Sequence, residues 1–83
     1  MAWNVLWSSR SVRQLKKLDK RHARMIRDAV VGARDNPYAA VSRLSDSAFF
    51  KMRVGSYRII MDLQQGAMII FVIEVGHRRR VYG

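Results

Sequence analysis

Cysteine is missing from this chain altogether. That removes a disulfide framework, a thiolate metal site and a cysteine nucleophile, and it fits a reducing compartment, so a cytoplasmic location is expected. Acids are scarce as well. Six Asp and Glu stand singly among 16 Lys and Arg, which leaves no clustered carboxylates for a two-metal hydrolase. Proline occurs once, at Pro37, and no apolar run reaches the roughly 18 residues that a membrane span requires. The segment from Met1 to Arg10 lacks the basic start and long apolar stretch of a signal peptide, so no membrane partner is expected. No motif calls for a metal or a small-molecule cofactor.

What is present is apolar residues in proportion for one small core: 83 residues, 49% of them apolar, are read as a single domain over 1–83. The formal net charge of +10 is a strong field for so short a chain. Self-repulsion at that density is better tolerated beside a polyanion or an acidic partner, so nucleic acid or an acidic protein is implied.

The period of the apolar residues sets the order of elements. Trp3, Val5 and Trp7 alternate with Asn4 and Leu6, which predicts a first strand. Ser8, Ser9 and Ser11 supply candidate N-caps for a helix carrying Val12, Leu15 and Leu18 on one side. Asp19 caps a second helix, with His22, Met25, Ile26, Ala29, Val30 and Ala33 at helical spacing until Asn36 and Pro37 stop it. Residues 38–47 read as a linker anchored by Val41 and Leu44. From Phe49 the period becomes two: Phe50, Met52 and Val54 take one face, Lys51 and Arg53 the other, and Gly55 and Ser56 turn the chain into a strand over 57–63. Gln64 to Gly66 lead into 68–75, apolar except for Glu74, which suits a central strand covered on both faces. The expected fold is α+β: an N-terminal strand, a helical hairpin and a mainly antiparallel sheet of about four strands.

Basic residues on helices usually mean solubility, but basic residues that alternate with core residues along strands must share one face. Lys51, Arg53 and Arg58, followed by Tyr57's alternation with Ile59, Met61 and Leu63, put three cations on such a face, and Arg78 and Tyr82 follow the last strand. Such a cluster suits phosphate. RNA cleavage by its own 2'-hydroxyl needs a base, cations for the non-bridging oxygens and an acid for the departing 5'-oxygen, with no metal.

The strand Lys51-Met52-Arg53, the run Gly55-Ser56-Tyr57-Arg58 and the run Val75-Gly76-His77-Arg78 followed by Val81-Tyr82 resemble the RelE branch of the RelE/ParE toxin superfamily over essentially the whole chain. The resemblance implies a RelE-like fold and a toxin of a type II toxin-antitoxin system. It also implies a metal-independent endoribonuclease that cuts mRNA in the ribosomal A site, with the ribosome and mRNA as partners and a RelB-like antitoxin as inhibitor. Carried over by position, the catalytic residues are Lys51, Arg53, Arg58, Arg78 and Tyr82. Arg53 stands where the best-known members have a second lysine, which moves the general base onto Lys51 or, as second choice, His77. A lysine crowded by arginines gives up its proton more readily than an arginine can. Arg58 would clamp the scissile phosphate, Arg78 would serve the leaving oxygen, and Tyr82 would stack on a base or orient the hydroxyl. His77, Arg79 and Arg80 are expected to contact RNA.

Plainer readings stand beside these. Lys51 and Arg53 could be a solvated strand face, His77 a turn residue, and Arg78 to Arg80 a nonspecific phosphate patch. Tyr57, Trp3 and Trp7 are expected in the core, His22 half-buried on its helix, and Glu74 paired with an arginine. The helix cations from Arg10 to Arg27 form a solvated face, or one that grips ribosomal RNA. The ParE branch, associated with gyrase inhibition, and an inactive nucleic-acid or antitoxin-binding module are the alternatives. The further helix that some relatives carry past the tyrosine is not expected here.

Overall fold

A computed structural model describes residues 2–77. Five strands and three helices follow in the order β1 (Asn4–Trp7), α1 (Ser9–Lys16), α2 (Lys20–Gly32), α3 (Pro37–Ala40), β2 (Ser42–Arg43), β3 (Phe50–Val54), β4 (Tyr57–Gln64) and β5 (Ile69–His77). They form one sheet of order β1-β5-β4-β3-β2, antiparallel except for the parallel pair β1 and β5. The α+β expectation holds. A fifth strand is added because Ser42 and Arg43, read as linker, pair with Lys51 and Phe50.

Both helices start where their caps stand. The Ser8 side chain accepts from the Ser11 N–H at 3.0 Å, and Asp19 accepts from the Arg21 N–H at 3.1 Å. The second helix ends earlier than Pro37 would dictate, at Gly32, and Pro37 instead opens the one-turn α3, where its missing N–H costs nothing. One sheet face carries Met52, Val54, Ile59, Met61, Leu63, Ile70, Val72 and Val75, and these pack with Trp3, Ile26, Val30 and Ala33 into the core. Trp7 and Tyr57 pack against it, as their alternation predicts. His22 departs from expectation: it is exposed, and its Nδ1 lies 3.0 Å from the Tyr57 hydroxyl. Its helix position faces the end of the sheet rather than its middle. The hairpin turn needs Gly55, whose φ is +58° and whose absent Cβ would meet Met25 Cε at 3.2 Å.

β5 is not regular. Met61 pairs with Val72 and Ile60 with Glu74, so Ile73 is an extra residue, a β-bulge that reverses the facing of everything after it. Strict alternation would put Glu74 with Ile70 and Val72 beneath the helices and His77 on the opposite face. The bulge exchanges them. The backbone around it is tied down by α1, which runs along the edge that β1 leaves open. The Ser8 N–H donates to the Val72 carbonyl at 2.9 Å, the Ser8 hydroxyl donates to the Ile73 carbonyl at 2.7 Å, and the Val75 N–H donates to Gln14 Oε1 at 2.6 Å. Nor is β5 covered on both faces: Ile69, Phe71 and Ile73 are only half-buried, because the helices occupy a single side of the sheet.

Ser8→Ala removes a cap and a donor together and is expected to cost about 1–2 kcal/mol. Gln14→Ala leaves the Val75 N–H without its acceptor and is expected to cost about 1–3 kcal/mol. Urea unfolding checks both; midpoints equal to that of the unsubstituted chain would contradict this role for α1.

Candidate functional site

The face turned away from the helices holds the cations. In one cross-strand row Lys51, Ile60 and Glu74 stand side by side on β3, β4 and β5, and in the next Arg53, Arg58 and Gly76 do so. Lys51, Arg58, Ile60, Ile73 and Glu74, with Leu44, Ser45 and Phe49 from the β2–β3 connection, line a cleft of about 490 Å³. Its floor is apolar at Ile60, which is buried, and its walls carry two cations and one carboxylate.

Of the residues singled out from the sequence, Lys51 and Arg58 meet in this cleft. Arg53 shares the face but is exposed outside the lining. Arg58 is only 1% exposed and sits on the central strand, with neighbours on both sides. An arginine so placed is held in a fixed direction, which suits a fork that must meet an anion without reorganising. His77 falls on the other face. It is the cross-strand partner of Tyr57, with ring centroids 5.6 Å apart, and the His22 ring meets Tyr57 at the same spacing. The bulge at Ile73 is the physical reason, and it takes His77 away from Lys51 and Arg58 both as second-choice base and as RNA contact of that cleft. Arg78, Arg79, Arg80 and Tyr82 lie outside the described residues.

Glu74 pairs with an arginine as expected, Arg10 of α1, with Nη2 to Oε1 3.8 Å, and its side chain remains 29% exposed. The pair is loose and partly wet. That Glu74 would also wall the cleft could not be read from alternation, since only the bulge turns it outward. Among the described residues there is no group of three or more His, Cys, Asp or Glu placed to hold a metal ion. No helix there is long and apolar enough to cross a membrane. A second cavity, about 540 Å³, opens between α1 and α2 over Trp7, Val12, Leu15, Leu18 and Ala23, rimmed by Lys16, Lys20, Arg24 and Arg27.

The fold is shared with small toxins solved alone or with their antitoxins. The chain superimposes on the toxin-antitoxin complex RelBE2 of Mycobacterium tuberculosis with a TM-score of 0.83, at 21% identity over 94% of this chain and 100% of that one. A variant of the Escherichia coli toxin RelE in the free state gives 0.82, at 21% identity over 99% and 90% of the two chains. The archaeal RelE-RelB complex from Pyrococcus horikoshii OT3 gives 0.82, at 22% identity over 96% and 99%. The sequence model of the ParE toxin of the type II toxin-antitoxin system parDE matches residues 5–82, and the chain belongs to that family. It is a type II toxin of the RelE/ParE superfamily, carrying a RelE-like fold. None of the curated proteins matches its sequence.

Burial separates the two arginines of one row. Arg58→Ala is expected to open a cavity and cost about 2–4 kcal/mol, whereas Arg53→Ala should stay within about 0.5 kcal/mol. Thermal or urea unfolding of both variants checks this, and equal midpoints would contradict the buried placement of Arg58.

Proposed function

We propose that this toxin inhibits translation by cutting mRNA in the ribosomal A site through attack of the RNA's own 2'-hydroxyl, without a metal. The observation that carries the reading is the cleft in which Lys51 and Arg58 converge on the open face of the sheet. Arg58, buried and directed, anchors the scissile phosphate, and Lys51, unlike the arginines of that face, is able to exchange a proton. Arg53 adds positive potential at the rim. Arg78 stabilises the charge that develops on the leaving oxygen, Tyr82 stacks on a base, and Arg79 and Arg80 hold neighbouring phosphates. The ribosome and its message are therefore the partners in action. A RelB-like antitoxin is the partner at rest, in line with the RelE-RelB complexes that share this fold. The apolar groove between α1 and α2, ringed by four cations, fits an amphipathic segment with acidic flanks. The site of action is the cytoplasm.

The match to the ParE family favours a second reading, inhibition of gyrase. Primer extension on a defined mRNA in a reconstituted translation reaction, beside the same RNA without ribosomes, separates the two. Cuts in register with codons on translated message alone are the expected result. No cuts, together with loss of supercoiling in a gyrase assay, would overturn it. Lys51→Arg keeps the charge and is expected to lower cutting at least about 100-fold, while Arg53→Lys should change it by less than about tenfold. Equal losses would mean that Lys51 acts only as a charge.

A further inference from the structure

We propose that Glu74 is a second catalytic residue of this cleft: it takes the proton of the 2'-hydroxyl, and Lys51, facing it across Ile60, supplies the proton to the departing 5'-oxygen. The inference rests on the cutting reaction proposed above. In an in-line displacement the attacking and leaving oxygens lie on opposite sides of phosphorus, so the two proton-transferring groups must stand on opposite sides of the phosphate. The row Lys51, Ile60, Glu74 has that layout, with the outer two backbones about 10 Å apart across two strand spacings. Between them lies an apolar floor, and Arg58, from the adjacent row, lines the same cleft and adds positive potential beside the phosphate.

Three observations single out Glu74. Among the described residues it is the one carboxylate in the lining of the cleft. It is there because of the bulge at Ile73, and bulges are over-represented beside active sites, where they re-aim a side chain. Among the described residues Arg10 from α1 pairs with it, and Lys51 and Arg58 line the same cleft, so a proton acceptor and a proton donor share one site. The loose Arg10 pair fixes one oxygen and leaves the residue accessible. The step balances without an oxidant or a metal: the 2'-oxygen loses its proton to Glu74 and bonds to phosphorus, the bond from phosphorus to the 5'-oxygen breaks, and that oxygen takes a proton from Lys51. The products are a 2',3'-cyclic phosphate and a 5'-hydroxyl, and both side chains are reset by exchange with water.

The test is the rate of cutting of ribosome-bound mRNA as a function of pH for the unsubstituted toxin, Glu74→Gln, Glu74→Asp and Arg10→Ala, each checked for folding by circular dichroism. The expected result is a rate for Glu74→Gln lower by about 100-fold or more, with the acidic limb of the profile gone. Glu74→Asp should retain that limb at reduced rate, and Arg10→Ala should lose far less than Glu74→Gln while keeping it. If the unsubstituted toxin cuts and Glu74→Gln cuts as fast with an unchanged profile, or if Arg10→Ala matches Glu74→Gln in rate and profile, Glu74 is only an anchor for α1 and the inference fails alone. If the unsubstituted toxin cuts no translated message, the underlying reading fails and this one with it.

Discussion

The extra residue in β5, and the hold that α1 keeps on it, decide which side chains this protein can bring together. A bulge leaves backbone groups out of step with the ladder, and unpaired groups at a sheet edge are costly unless something meets them. Here Ser8 and Gln14 meet them, one as helix cap and one from the second turn of the helix. Because β1 ends at Trp7, α1 takes over as the neighbour of β5 where a strand would otherwise lie. The same contacts therefore seat the helix, close the sheet edge and hold the reversal of facing that turns Glu74 to the open face and His77 to the helical one.

On the far side of the sheet that reversal gives a cleft of mixed charge rather than a uniformly basic patch. A basic patch suffices to hold nucleic acid, since phosphate contacts are made by cations wherever they lie. Chemistry at phosphate asks for more: cations fixed in direction and groups able to pass protons. Arg58 has the fixed direction because it is buried on the central strand, and Lys51 and Glu74 flank the apolar floor on either side. The helical side of the molecule has a different character, an apolar groove with a cationic rim, suited to a protein partner rather than to a phosphodiester. On the reading proposed above, two opposite faces divide the roles of action on a target and capture by an antitoxin.

Much of this was legible from period and punctuation. The switch from a 3.6-residue to a two-residue repeat located the helices and β3 to β5, Ser8 and Asp19 marked the helix starts, and the alternation of Tyr57, Ile59, Met61 and Leu63 put Arg58 on the face of Lys51. Three features were not legible, for physical reasons. β2 is two polar residues whose strand character comes only from pairing with β3, a tertiary effect with no local signal. The burial of Arg58 depends on which strand is central, and sequence order does not reveal sheet order. The bulge at Ile73 lies in an unbroken apolar run, where an extra residue leaves no mark in composition, so the places of Glu74 and His77 were beyond reach of alternation.

In the proposed reaction the RNA supplies its own nucleophile, and the toxin contributes cations and proton carriers. The most direct measurement is cutting of a ribosome-bound mRNA in which the single nucleotide on the 5' side of the cut is replaced by its 2'-deoxy form. The account predicts that this one oxygen abolishes cutting at that position while the all-ribose message is cut and leaves a 5'-hydroxyl end. Continued cutting of the deoxy-substituted message, or a 5'-phosphate on the downstream fragment, would mean that water is the nucleophile and would contradict the account.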